Sequence, residues 1–204
     1  MLFDETYNEI THNSTGIYRA KGSKFISYSF KVYTANQIKK IIQKTKSVEK
    51  SANHYCYAYV LYPDKSIFKA NDDGEPTSTA GKPILTQIKT HDLTNILIIV
   101  VRFFGGKKLG IPGLIRAYKN ASLEAIKSTT IITKKIHEKY ELNFEHNDMD
   151  VVMKFVKNHN FKKEKNDFNK KYQLILNVPK NETDILMRFI KQNPSITIKY
   201  LKLL

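Results

Sequence analysis

The sequence predicts an α+β protein organised as two domains, residues 1–135 and 136–204. Three patterns carry that expectation. Residues 96–101, ILIIVV, form a continuous apolar run. The run is short enough for a strand and apolar at every position, so both of its faces must be covered. Downstream, Leu114, Ile115, Tyr118, Ser122, Ala125 and Ile126 recur at helical spacing. Beyond residue 138, alternating and helical periods follow one another as β-α-β-β-α-β. That order is the split βαβ pattern of a ferredoxin-like domain.

Each element has a local reason. Residues 5–13 form a weakly patterned first strand, and residues 17–20 and 24–33 form two more around the turn at Gly22. In the third strand Ile26, Tyr28, Phe30 and Val32 alternate with Phe25, Ser27, Ser29 and Lys31. The first set is the more apolar and is the expected core face. Thr34 suits the N-cap of a helix whose inner stripe is Ile38, Ile41, Ile42 and Thr45, leaving Lys39, Lys40, Lys44, Lys46 and Lys50 to solvent. Residues 54–60 form a strand with His54, Cys56, Ala58 and Val60 on one face and Tyr55, Tyr57 and Tyr59 on the other. The tyrosines either pack beneath a helix or stack nucleic-acid bases. Residues 66–70 return as the hairpin partner, and a helix over 83–88 turns Ile84, Leu85 and Ile88 inward.

Lys134 and Lys135 mark the boundary. In the tail, Tyr140, Leu142 and Phe144 alternate as a strand, and Asp148 is placed to cap a helix burying Val151, Val152, Phe155 and Val156. Residues 161–167 and 172–178 form strands about a turn near Asn169. A helix bearing Ile185, Leu186, Phe189 and Ile190 precedes the last strand, residues 195–203.

Composition narrows the function. The chain of 204 residues carries a net charge of +15. Residues 1–137 hold 21 Lys/Arg against 10 Asp/Glu, a net +11, while residues 138–204 hold 13 against 9, a net +4. A basic field of this kind attracts nucleic acid, ribosomes or anionic membranes. No apolar run reaches the roughly 18 residues of a membrane helix. The first residues are acidic and lack a signal peptide's apolar region, which predicts a cytoplasmic protein with no membrane partner. One cysteine rules out an intramolecular disulfide framework, and neither a disulfide-linked partner nor a multi-cysteine zinc site is expected. His54 and Cys56 share a strand face, but no second Cys/His pair lies nearby in sequence; no metal or cofactor is expected.

Two dense stretches carry the remaining chemistry. Residues 102–118, RFFGGKKLGIPGLIRAY, join the buried strand to the amphipathic helix. Gly105, Gly106 and Gly110 permit a sharp turn or a close approach. Lys107 and Lys108 stand beside a helix N-terminus, itself favourable to anions. Arg102, Arg116 and Lys119 complete a cationic set suited to phosphates. The loop is not a nucleotide fingerprint, because Ile111 and Pro112 stand where a phosphate-binding loop needs Lys and Ser/Thr. Residues 73–85, DGEPTSTAGKPIL, follow Asp72. Asp73 and Glu75 supply carboxylates, and Thr77, Ser78 and Thr79 supply hydroxyls. Such groups hold cations or act as acid and base, and they also cap helices and orient turns. The histidines and Cys56 lack a nucleophile-elbow motif.

These two stretches, with residues 23–26 (SKFI) and 52–59 (ANHYCYAY), resemble segments of the Impact/YigZ family, in its bacterial two-domain branch. The resemblance covers the whole N-terminal part. It implies an N-terminal β-α fold like the second domain of ribosomal protein S-five and elongation-factor domain four, followed by a ferredoxin-like tail. Eukaryotic Impact regulates translation by competing for the activator of a starvation-sensing kinase, a pathway bacteria lack. Ser78 and Pro112 stand where relatives often carry glycine. Pro112 suits the first turn of a helix, whereas the side chain of Ser78 narrows any close ligand approach.

The leading expectation is a non-enzymatic RNA- or ribosome-associated protein tied to translation, with Arg102, Lys107, Lys108, Arg116 and Lys119 neutralising phosphates. The alternatives are an enzyme or small-anion binder, in which Asp73 and Glu75 face the Gly105–Gly106 loop across a cleft, and a protein-interaction module.

Overall fold

The structure is a computed structural model that describes residues 5–167 and 172–204. It is an α+β chain that divides into two compact units, Tyr7–Lys134 and Lys135–Leu204, with residues 5 and 6 joined to the second. The turn expected near Asn169 lies outside the described residues.

The first unit runs β1 (Thr6–Ile10), β2 (Ser14–Ala20), β3 (Ser23–Lys31), α1 (Ala35–Val48), β4 (His54–Leu61), β5 (Ile67–Asn71), α2 (Gly81–Thr90), β6 (Ile96–Phe103), α3 (Gly110–Lys127) and β7 (Ile131–Lys135). Five strands form one antiparallel sheet in the order β2-β3-β6-β4-β5, while β1 pairs with β7. β6 is central, and its residues from Ile96 to Val101 are fully buried. Alternation explains why an all-apolar strand suits this place. Ile96, Ile98 and Val100 pack with Ile84 and Ile88 of α2 and with Leu114 and Ala117 of α3. Leu97, Ile99 and Val101 pack on the other face with Ile38 of α1.

Local signals set the edges of these elements. Gln37 N donates to Thr34 Oγ1 and Thr34 N donates to Gln37 Oε1, a reciprocal cap at the start of α1. Tyr55, Tyr57 and Tyr59 are partly buried against the α1 side of the sheet. Packing beneath a helix, rather than an open stacking platform, is therefore their role.

β3 corrects the expected core face. Phe25, Ser27 and Ser29 are fully buried, whereas on the expected face Val32 is fully buried, Tyr28 and Phe30 are half-buried beside α1, and Ile26 is half-buried. Small residues win this face because α3 approaches it closely. A Cβ on Gly16 would lie 2.5 Å from Ala125 N, and Ser27 Oγ donates to Ala121 O at 2.5 Å. Ser14 Oγ likewise reaches Ala125 O at 2.6 Å. Serines satisfied by a helix's own carbonyls bury without penalty. On α3 the matching surface is Ala117, Ala121 and Ala125, while Ile115, expected inward, is 39% exposed.

The second unit contains β8 (His137–Phe144), α4 (Met149–Asn158), β9 (Lys162–Asp167), β10 (Tyr172–Pro179), α5 (Thr183–Gln192) and β11 (Thr197–Leu203). Its antiparallel sheet has the order β11-β8-β10-β9. Leu142, Leu174 and Leu176 pack with Val152 of α4 and Leu186 of α5. Phe155 and Phe189 stack at 3.9 Å and join the two helices. Val151, expected inward, is exposed. Asp148 occupies the N-cap position of α4 without capping it; its carboxylate accepts from Ser195 Oγ at 3.0 Å. Among the described residues no helix is long and apolar enough to cross a membrane.

Candidate functional site: an acidic turn and a cationic loop

The turn before α2 sends its three carboxylates in three directions. Asp72 folds back along the turn. Its Oδ1 accepts from Ala80 N at 3.0 Å and Gly81 N at 2.8 Å, and its Oδ2 accepts from Ser78 N at 2.9 Å. It therefore caps α2 from nine residues upstream of Gly81, because Ala80 at the N-cap has no side-chain acceptor. Asp73 turns toward β4 and α1: its carboxylate accepts from Tyr55 N at 2.8 Å and pairs with Lys46 at 3.1 Å. Glu75 points into the core.

Glu75 Oε1 accepts from Arg102 Nη1 at 2.6 Å and from the Tyr118 hydroxyl at 2.7 Å. Glu75 is 8% exposed and Arg102 6%. The two dense stretches are thus joined through a buried ion pair. This corrects the expectation that Arg102 stands with the surface cations. Arg102 lies on the α3 face of central β6, its guanidinium between the rings of Phe25 and Phe104, 5.6 and 5.4 Å from their centroids. Its charge is used inside the fold.

Cys56 closes the same cluster. Its Sγ donates to Asp72 O at 2.9 Å and lies 3.4 Å from the Tyr118 hydroxyl. Burial pushes the Cys56 thiol up, and it pushes the Tyr118 phenol up as well. Both groups stay protonated at neutral pH, so Cys56 is not poised as a thiolate nucleophile.

The glycine loop divides into a packed half and an open half. A Cβ on Gly105 would lie 2.0 Å from Gly22 C, so Gly105 is glycine because the β2–β3 turn lies against it. Gly105 N donates to Ser23 Oγ at 3.2 Å, and Phe104 N donates to Asn53 Oδ1 at 2.8 Å. Gly106 differs. It has φ +83 and nothing within 4 Å of its Cβ position, so only conformation calls for glycine there. Asp73 and Glu75 therefore do not jointly face this loop, as the small-anion expectation required.

Beyond Gly106 the surface is cationic. Lys107 and Lys108 are exposed. α3 opens at Gly110 with no side chain capping it and no acid in its first turn. Pro112 falls in that first turn, where its missing N–H is harmless. Arg116 and Lys119 are exposed on the helix. α2 also opens without an acid in its first turn and carries Lys82 there. Nothing negative offsets the dipole at the start of α3, so that end retains positive potential, whereas the Asp72 carboxylate occupies the amides at the start of α2. None of Lys82, Lys107, Lys108, Arg116 and Lys119 has an ion-pair partner among the described residues.

A groove of about 390 Å³ runs between the two helix starts, lined by Thr77, Ser78 and Lys82 on one side and by Ile111, Ile115 and Lys119 on the other. Ser78 has φ +63, a left-handed conformation that favours glycine. Thr79 is buried and donates to Pro76 O at 2.6 Å. Sequence reasoning missed Lys82 as a site residue. Its signal was a lysine directly after the glycine that starts α2. Tyr118 was read only as part of the core stripe, because a tyrosine at an inward position does not announce its hydrogen bond.

Comparison with known proteins places these features. The Impact N-terminal domain model matches residues 21–126, which include both stretches. An IMPACT family member of Haemophilus influenzae is 31% identical over 160 residues, covering 78% of each chain. YvyE, an IMPACT family member of Bacillus subtilis, is 41% identical over 114 residues, 56% of this chain and 52% of the relative; the match thus spans about half of that relative's length. YigZ of Escherichia coli, another member, is 32% identical over 137 residues, covering 66% of this chain and 67% of YigZ. A crystal structure of a hypothetical protein covers 98% of this chain and 99% of its own, with a TM-score of 0.74 at 24% identity, which shows a shared fold. With a domain model matched over half its length and both motifs inside the match, this chain belongs to the IMPACT family.

Proposed function

We propose that the protein is a non-enzymatic RNA- or ribosome-associated factor with a role in translation regulation. The observation that carries this reading is the group of five exposed cations without an ion-pair partner among the described residues, Lys82, Lys107, Lys108, Arg116 and Lys119, about the uncapped, acid-free N-terminus of α3 and the groove beside it. Unpaired lysines and arginines beside the uncapped amides of α3 form a phosphate-binding surface. The chain's net charge of +15 adds long-range attraction.

The finer fold reading belongs to the same proposal. The β-α-β-β-α-β order of the second unit, with sheet order β11-β8-β10-β9, supports a ferredoxin-like domain. A likeness of the first unit to ribosomal-protein and elongation-factor domains rests on the family resemblance. The boundary we propose for the two domains is at residues 135 and 136.

Against catalysis, the Glu75 carboxylate is taken up inside the core by Arg102 and the Tyr118 hydroxyl. A second reading, a protein-interaction module, is favoured by Ile111 and Ile115, which are 59% and 39% exposed in the groove.

Cosedimentation with ribosomes and with total RNA across a salt series tests the proposal, beside a Lys107→Ala/Lys108→Ala variant. The expected result is binding that falls roughly 10³-fold or more from 50 to 200 mM salt if about six phosphates are contacted, and that is weaker in the variant. Wild-type protein left in the supernatant at low salt overturns the RNA reading.

A further inference from the structure

The two faces of the five-stranded sheet are covered unequally. On one face α3 lies over β2 and β3, and α2 lies over β4 and β5. On the other, α1 is the one helix of this unit that packs there. Register fixes which residues share that face. Ile17 is opposite Ile26, Ile26 is opposite Val101, and Val101 packs with Ile38 of α1. Burial falls off across these rows. Leu97, Ile99 and Val101 of β6 are fully buried, Ile26, Tyr28 and Phe30 of β3 are half-buried, and Thr15, Ile17 and Arg19 of β2 are exposed, Ile17 by 50%. α1 adds Ile41, half-buried, and Val48, 67% exposed. A groove of about 380 Å³ lies between α1 and β3, with Tyr28, Phe30, Ile41 and Val48 in its lining.

The gap has the width of a helix. Neighbouring strands are roughly 4.8 Å apart, so β2 and β3 leave a strip about 10 Å wide, which is about the diameter of one α-helix. On the opposite face one helix, α3, covers the same two strands. Scattered exposed apolar residues need no explanation, but a contiguous row marks an interaction surface. The rim of this one is cationic. Arg19 and Lys24 are cross-strand partners on the α1 face, and Lys44 lines the groove from α1. None of the three has an ion-pair partner among the described residues. The acid at the groove, Glu49, accepts a hydrogen bond from the Tyr28 hydroxyl.

We propose that the strip over β2 and β3, beside α1, is a docking site for an amphipathic helix of a partner protein, with an apolar stripe and acidic flanks. The floor of Ile17, Ile26, Phe30, Ile41 and Val48 offers carbon and no phosphate ligand, so it does not suit a nucleic-acid backbone. β3 is paired on both sides, with β2 and β6, and has no free backbone groups for an added strand. A helix satisfies its own backbone and buries only side chains, which is what this surface accepts. Charge complementarity decides between a partner and a second copy of this chain. A second copy would bring another set of the same cations to the rim and another net charge of +15, whereas Asp or Glu beside an apolar stripe answers Arg19, Lys24 and Lys44. The inference is separate from the RNA reading, whose cations lie about the start of α3, a helix on the other face of the sheet.

The test titrates the full chain against a fluorescein-labelled synthetic peptide by anisotropy. The peptide is a helix former of about 20 residues, long enough to run beside the nine residues of β3. It carries leucines at i, i+3, i+4 and i+7 spacing with glutamates on both flanks. Two controls are a scrambled peptide of the same composition and one with lysines in place of the glutamates. Three proteins are compared: wild type, Ile17→Ser/Val48→Ser and Arg19→Glu/Lys44→Glu. All four positions are exposed, and a thermal melt of each protein checks folding. The inference predicts that wild type binds the glutamate peptide and neither control. Ile17→Ser/Val48→Ser binds it about tenfold more weakly. The charge-reversed protein loses the glutamate peptide and gains the lysine peptide. Wild type that binds the scrambled peptide equally well, or no striped peptide at all, overturns the inference, as does an Ile17→Ser/Val48→Ser variant that binds like wild type. Sedimentation of the protein alone decides against a partner if wild type forms a dimer that this variant abolishes, since the face then belongs to a second copy. Oligouridylate binding that falls in the same variant assigns the face to RNA and overturns the helix.

Discussion

Arg102 and Lys107 are five residues apart in one stretch, both cationic, and the fold uses them in opposite ways. Arg102 is on a central strand and is 6% exposed, its charge taken up by Glu75. Lys107 follows a glycine with open space around it and is exposed without a partner. The division falls at Gly105, which packs on Gly22, and Gly106, whose Cβ position is open space. One half of the motif therefore builds the fold, and the other half presents charge. Sequence similarity concentrated in such a motif does not by itself say which half a given residue serves.

The comparison can be broken most severely at Glu75. Glu75→Ala leaves Arg102 charged and buried with no partner and removes the acceptor of the Tyr118 hydroxyl. A loss of about 3–5 kcal/mol is expected in denaturant unfolding. Next is Gly105→Ala. The added methyl meets backbone at 2.0 Å, and backbone cannot rotate aside as a flexible side chain can. The expected loss is about 1–3 kcal/mol. Gly106→Ala meets no atom, so its loss should be only the conformational about 1–2 kcal/mol of a left-handed residue. Equal losses at the two glycines would contradict the division between them.

Glu9 sharpens the contrast from another side, since it shows lysines whose charge is engaged. Glu9 is fully buried, with Lys31 at 2.7 Å and Lys134 also on its Oε1. Burial pushes its carboxyl up, but hydrogen bonds from Lys134 and Lys31 outweigh that and hold it below the usual carboxylate range. A depressed folded pKa means that this stabilisation is complete above the unfolded value of about 4.5 and is lost as pH falls through the folded one. The stability gap between wild type and Glu9→Gln should therefore be widest near neutral pH and narrow below about pH 4.5, as read by thermal melts in a pH series. A gap independent of pH would contradict this account.

How much of this was legible in the sequence depended on whether a residue's role was written in its own chemistry. The apolar run 96–101 announced a strand covered on both faces, and Thr34 was legible as the N-cap it is, while the reciprocal bond from Gln37 was not read. The face of β3 was misread because Ser27 and Ser29 look like solvent residues. They are inside because α3 needs small neighbours, as its alanines at positions 117, 121 and 125 indicate in retrospect. At the site, Lys107, Lys108, Arg116 and Lys119 were expected on the surface and are exposed there. Arg102 was grouped with them because a charge in a motif carries no mark of burial; only the pairing of Glu75 with it across 27 positions reveals that. Asp72 was passed over as one of three adjacent acids, although its partners are backbone amides up to nine residues away.

The smallest expected structural effect is also the most direct test. Lys107→Ala/Lys108→Ala should change unfolding stability by less than about 0.5 kcal/mol, since both residues are exposed and unpaired. The same protein, titrated against labelled single-stranded RNA, should bind more weakly than wild type, with a salt slope lower by roughly 1.4 for two lost phosphate contacts. That pairing of unchanged stability with reduced, less salt-sensitive binding is the result the account predicts. A variant that binds RNA like wild type, with the same slope, would contradict the claim that the open half of the loop carries the function.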